Sequence, residues 1–138
     1  MTEKYYFDTS IWLDLFENRD EPNLPKGKLA ISLLNKIIKE GGKIINSEIV
    51  KNEMIAIGYT KYEIEALFMQ FKKIILWVYS NKKQFGKAKD LSKKRDVPIF
   101  DALHAIIARD SGAIMVTRDK HFEKLLDIAN YKKPEELI

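Results

Sequence analysis

Four acidic residues stand where a carboxylate can do chemistry: Asp8 in YYFDTSIW, Glu53 in INSEIVKNEM, Asp101 in PIFDALHAIIA and Asp119 in MVTRDKHF. Carboxylates brought close together repel one another, and in a partly buried setting some must take up protons unless cations fill the space between them. Mg²⁺ or Mn²⁺ relieves that repulsion, because such ions are held through a few carboxylates together with water and substrate phosphates. Two of them about 4 Å apart can activate water and stabilise the leaving oxygen of a phosphodiester. The chain has no cysteine and only two histidines, so disulfides, thiolate metal sites and cysteine nucleophiles are excluded and a metal must be carried chiefly by oxygen.

Taken singly, each acid also has a structural reading. Asp8 is as good an N-cap for the helix behind it as a functional group, and Asp119 is equally fitted to cap a last helix. Asp101 falls in the first turn of a helix, where the macrodipole favours a negative charge. Glu53, between Asn52 and Met54, reads alone as an exposed helix residue. Separate capping roles do not explain four acids gathered on one edge, and that gathering depends on the elements that carry them.

Those elements follow from periodicity and punctuation. Lys4 to Phe7 has strand character, and Ile11/Leu15 with Trp12/Phe16 then give helical spacing. NRDEPNLPKG breaks that helix as a loop. From Lys28, Leu29, Leu33 and Ile37 repeat on one helix face until Gly41-Gly42 stops it. KIIN (43–46) reads as a strand, Ser47 as the N-cap of a helix to Gly58, and Thr60 with Glu63 as a capping box for a helix through ALFMQFKK. IILWVY (74–79) reads as a buried strand, followed by a basic helix, the helix bearing Asp101, the strand AIMVT (113–117) and a helix RDKHFEKLLDIA. Strands that are apolar runs and are separated by helices predict an α/β fold: three layers, with a central, mostly parallel sheet of four to five strands. In such sheets the ligand site lies outside the carboxyl ends of the strands, the edge to which Asp8 and Asp119 belong.

The 138 residues suit one domain, 1–138, and no apolar run approaches the ~20 residues that cross a bilayer. MTEKYYFDTS lacks the apolar stretch of a secretory signal, which places the protein in the cytoplasm. A net charge of +4 suits a polyanionic partner without requiring one. The basic residues concentrate between Asn81 and Asp96, where Lys82, Lys83, Lys87, Lys93, Lys94 and Arg95 fall. That stretch reads first as a solvated helix face, with Phe85, Ala88 and Leu91 turned inward.

FDTS after the first strand, INSEIVKNEM with its serine-to-glutamate spacing, FDALHAIIA and MVTRDKHF together resemble the four acidic motifs of PIN domains, most closely VapC-type toxins and their archaeal relatives. The resemblance runs in the family's order from Tyr5 to Phe122. It implies that Asp8, Glu53, Asp101 and Asp119 hold Mg²⁺ or Mn²⁺ and support endoribonuclease chemistry. It also implies that Thr9, Ser10 and Thr117 steady the carboxylates. Glu48 is a rival to Glu53, and the spacing from Ser47 favours Glu53. The chain departs from the pattern at His121, where many members carry another acid. His104, three residues after Asp101, fits packing or a hydrogen bond to a ligand better than direct ligation.

The same resemblance implies RNA as substrate, with the lysine-rich segment along its backbone, an antitoxin over the acidic cleft, and a homodimer. KYEIEALFMQFKK, with Tyr62, Leu67, Phe68 and Phe71, serves equally as a docking surface or a core face, while Trp12, Trp77 and the tyrosines read mainly as core. Two rivals stay open: a non-catalytic PIN-like module that binds RNA or protein, and a receiver-type signalling domain. The second fits poorly, because IILWVY is followed by Ser80-Asn81-Lys82 with no phosphoacceptor acid.

Overall fold

A computed structural model describes residues 2–138. β1 (Lys4–Phe7) passes through Asp8 directly into α1 (Thr9–Phe16). Asn18, at φ 51°, turns the chain into a short antiparallel hairpin of β2 (Asp20–Glu21) and β3 (Leu24–Pro25), so the segment expected as plain loop carries two strands. α2 (Lys26–Lys39) buries Ala30, Leu33, Leu34 and Ile37 and ends where Gly41 takes φ 74°, a conformation open to glycine at no steric cost.

β4 (Lys43–Ser47) leads into α3 (Glu48–Ala56). Ser47 occupies the N-cap position as expected, but its side chain makes no capping bond there. α4 (Lys61–Met69) opens on the Thr60–Glu63 capping box read from the sequence, and it stops before the FKK expected to continue it. After β5 (Ile75–Val78), α5 (Lys82–Arg95) starts on a second capping box, Asn81 with Gln84. α6 (Ile99–Asp110), β6 (Ile114–Val116), a 3-10 turn (Lys120–Leu125), β7 (Tyr131–Lys132) and a last 3-10 turn (Pro134–Glu136) complete the chain. The segment RDKHFEKLLDIA, expected as an α-helix, instead forms a 3-10 turn over Lys120–Leu125 with Asp119 at its N-cap.

β5-β4-β1-β6-β7 form one sheet in which every neighbouring pair is parallel. β1 is central: Tyr5 pairs with Ile44 of β4 on one side and with Ile114 of β6 on the other. The expectation that IILWVY is buried is corrected. β5 pairs with β4 alone at the sheet's end, so only Ile75 is buried while Leu76 and Trp77 are exposed. Fully buried parallel strands need helices over both faces, and an edge strand has no neighbour on one side to complete the cover.

Alternation along β1 splits its side chains between two cores. Tyr5 and Phe7 face Trp12, Leu33, Ile37 and Phe68, a layer built by α1, α2 and α4. Tyr6 faces Leu103, Ile106 and Phe122, the layer of α5, α6 and the 3-10 turn. The result is the three-layer α/β/α architecture expected. From β1 the chain adds β4 and β5 on one side and later β6 and β7 on the other, so the carboxyl end of β1 is the point where strand order reverses. Clefts open at such points, and Asp8 is the residue that follows β1.

Candidate active site

Asp8 shares its face of the sheet with Tyr6, two residues earlier, and so is turned towards α6. Its Oδ2 accepts hydrogen bonds from Ser10 Oγ at 3.0 Å and from Thr117 Oγ1 at 2.9 Å. Among the described residues Oδ1 accepts no hydrogen bond, and His104 Nε2 lies 3.8 Å from it. Burial pushes the Asp8 carboxyl above its ordinary range, and His104 and the two hydroxyls pull it part of the way back. Asp8 makes no side-chain cap to α1, so the capping reading of this residue does not describe its surroundings.

Glu53 reaches the same place from α3. Its Oε1 accepts from Thr9 Oγ1 at 2.6 Å and from His104 Nε2 at 2.5 Å. Burial works to raise its pKa, but the hydrogen bonds and charge of His104 and Thr9 outweigh it and hold the carboxyl below its usual range. Asp101, in the first turn of α6, is buried, and its pKa rises from 3.8 to about 7 through burial first and then the nearby charges of Asp8 and Asp119. Asp119 follows β6, and its Oδ1 accepts from the backbone N–H of His121 at 2.9 Å, capping the 3-10 turn as the structural reading allowed. Thr117 ties this loop to Asp8, because its Oγ1 also accepts from the Asp119 N–H at 3.1 Å.

The structure thus brings all four acids to one hollow of about 230 Å³, lined in addition by Thr9, Ser10, Leu13 and Ile57. A larger hollow of about 430 Å³ between Ile38 and Met69–Ile74 contains no acidic residue. Two sets of donors cluster closely enough to share a cation: Asp8, Glu53 and His104, and Asp101, Asp119 and His121. The two histidines differ. Both ring nitrogens of the fully buried His104 are engaged, Nε2 by Glu53 and Nδ1 by the Tyr6 hydroxyl at 2.6 Å. His121 is half exposed, and its Nδ1 lies 3.1 Å from both Asp101 Oδ2 and Asp119 Oδ1.

The sequence from Tyr5 to Leu126 matches the family model of the PIN domain, residues 5–126. The chain belongs to the PIN domain family. Solved structures with the same fold include a toxin-antitoxin complex from Klebsiella pneumoniae (18% identity, TM-score 0.63, covering 94% of this chain and 97% of that one). VapBC2 from Rickettsia felis bound to a promoter DNA fragment aligns at 17% identity and TM-score 0.59, over 94% of this chain and 98% of the other. VapBC-1 from nontypeable Haemophilus influenzae aligns at 23% identity and TM-score 0.66, over 96% and 98%. No curated protein matches the sequence significantly.

In this PIN domain Glu48, the rival to Glu53, is engaged elsewhere: its carboxylate accepts from the Ser80 N–H and hydroxyl and ties α3 to the start of α5. Among the basic residues of α5, Arg95 is bound to Asp127 and to the Lys124 carbonyl, and Lys94 pairs with Asp90. Lys82, Lys83, Lys87 and Lys93 are exposed, with no ion pair among the described residues. Trp12 is fully buried, whereas Trp77 is exposed with Lys51 Nζ 4.3 Å above its ring. Of the α4 set, Phe68 is buried, Leu67 and Phe71 pack against the core, and Tyr62 is exposed. Among the described residues no helix is long and apolar enough to cross a membrane.

Sequence reasoning does not single out Tyr6. Ser47 it reads as a cap, whereas the Ser47 hydroxyl meets Tyr6 at 2.7 Å inside the core. A faint signal exists for Tyr6: it stands two residues before Asp8 in a strand, the spacing that puts two side chains on one face.

Proposed function

We propose that this PIN domain is a Mg²⁺- or Mn²⁺-dependent endoribonuclease, and that it is the toxin of a VapBC-type toxin–antitoxin pair. What carries the reading is the convergence of Asp8, Glu53, Asp101 and Asp119 on one hollow at the carboxyl end of the central strand. The donor chemistry fits a hard divalent cation, since the site is rich in carboxylate oxygen and the chain has no thiol. Asp8 and Glu53 each have one oxygen tied by hydroxyl or imidazole donors and the other without a hydrogen bond among the described residues. The crowding that raises Asp101 is the repulsion that a dication removes.

Asp8, Glu53, Asp101 and Asp119 would hold the ion. A divalent cation in such a site lowers the pKa of water and offsets charge on a phosphate. The chain's residues do the rest. Ser10 and Thr117 hold Asp8 in one orientation, and Thr9 and His104 do the same for Glu53. Leu13 and Ile57 wall the hollow with apolar surface. Lys82, Lys83, Lys87 and Lys93, with Lys94 and Arg95, follow the RNA backbone. An antitoxin segment over the acidic cleft is supported by the fold shared with toxin–antitoxin and VapBC structures, and a homodimer completes the proposal.

Purified protein incubated with a mixed RNA pool, with and without Mn²⁺ and beside Asp8→Asn, tests it. Metal-dependent cleavage that Asp8→Asn abolishes, in a folded protein, is expected. No cleavage by the wild type in either Mg²⁺ or Mn²⁺ would favour the non-catalytic binding module, and full activity in Asp8→Asn would refute the site assignment.

A further inference from the structure

We infer that Tyr6, acting through His104, is the positioning residue that holds Glu53 ready for a cation. The inference rests on the metal-site reading above and adds to it residues that never touch the metal or substrate. Ser47 Oγ, Tyr6 OH, His104 and Glu53 form an unbroken series of hydrogen bonds, 2.7, 2.6 and 2.5 Å in turn, and Thr9 closes on the same Glu53 oxygen. Ser47, Tyr6 and His104 are each fully buried.

Burial is what makes the series directional. A polar group sealed from water is costly to leave without a partner, so each member is held by the next. The Tyr6 hydroxyl engages His104 Nδ1, and Nε2–H on the other side of the ring donates to the Glu53 carboxylate. Glu53 is a long side chain on a short helix, and 28% of its side-chain surface stays exposed even with these partners in place. With Oε1 taken by His104 and Thr9, Oε2 is the oxygen without a hydrogen bond among the described residues. Residues that orient a metal-binding group in this way typically contribute about 10–100-fold to metal affinity.

Tyr6→Phe removes one oxygen and keeps the ring that fills the core. Mn²⁺ titration calorimetry on the full chain should show binding weakened by roughly tenfold or more in Tyr6→Phe. Ser47→Ala, one link further back, should weaken it less. A merely structural role would lower the melting temperature and leave Mn²⁺ affinity unchanged, and that result overturns the inference.

A second readout needs no metal. The chain has two histidines, so imidazole ¹H–¹⁵N spectra of the metal-free protein, with His121→Asn to assign the pair, report on His104 directly. The wild type should show a downfield Nε2 proton protected from exchange, and Tyr6→Phe should lose that protection. An unchanged signal in Tyr6→Phe refutes the inference whatever the metal data show. If the wild type binds no Mn²⁺ while the imidazole signal responds as expected, the metal reading fails and the positioning of Glu53 by Tyr6 stands.

Discussion

Asp101→Asn should make the metal-free protein more stable. Burial and the charges of Asp8 and Asp119 raise the Asp101 carboxyl from 3.8 to about 7. A folded-state value above the unfolded one means that the folded state holds its proton more tightly, so this group's contribution is greatest at low pH and is lost as pH rises from about 4 through 7. At about 1.4 kcal/mol for each tenfold change in proton affinity, the full cost at pH 8 is roughly 4 kcal/mol. The side chain keeps 13% of its surface in solvent and its neighbours can relax, so about 1–2 kcal/mol is the realistic yield. For a chain of this length that corresponds to a rise in melting temperature of about 3–7 °C. Asparagine keeps the shape and removes the charge. Thermal melts in chelator should therefore show Asp101→Asn above the wild type at pH 8, with the gap nearly gone at pH 4. Mn²⁺ should then raise the wild type more than the variant. A variant no more stable than the wild type at pH 8, or equally stabilised at both pH values, would refute the claim that these carboxylates strain one another.

Three further outcomes are expected. His121→Asp places a third carboxylate beside Asp101 and Asp119, so calorimetry should show tighter Mg²⁺ binding, and unchanged affinity would mean that this position lies outside the metal's reach. Replacing Lys82, Lys83 and Lys87 together with alanine should lower the salt dependence of single-stranded RNA binding by about 0.7 in log–log slope for each phosphate no longer neutralised; an unchanged slope would remove α5 from the RNA path. Trp12, fully buried against Phe7, Phe16 and Phe68, should cost about 3–5 kcal/mol when cut to alanine, read by denaturant unfolding, and a smaller loss would show that the core collapses into the gap.

The four acids, the order of strands and helices apart from β2, β3 and β7, the glycine-stopped helix ends, the Thr60–Glu63 capping box and the basic helix are legible in the sequence. Each is a local matter: spacing of apolar residues, a capping pair, a turn residue, all encoded within a few positions. The family resemblance extends this reading to Thr9, Ser10 and Thr117, and the structure puts all three hydroxyls onto the carboxylates or into their hollow. Local pattern misleads where the deciding fact is a neighbour. IILWVY has the composition of an interior strand, but only sheet order shows that it lies at the edge. Ser47 looks like a cap because Glu48 begins a helix, whereas the Tyr6 hydroxyl, brought alongside by the β1–β4 pairing, claims it instead.

Chemistry-bearing residue types and the elements beneath them were thus decided by the sequence alone, since propensity and periodicity act over one or two turns of chain. Which donor meets which carboxylate oxygen was decided only by the tertiary structure. Thr117 meets Asp8 across 109 positions and His104 meets Tyr6 across 98, and a hydrogen bond forms or fails over a few tenths of an ångström that only the packed sheet and helices define.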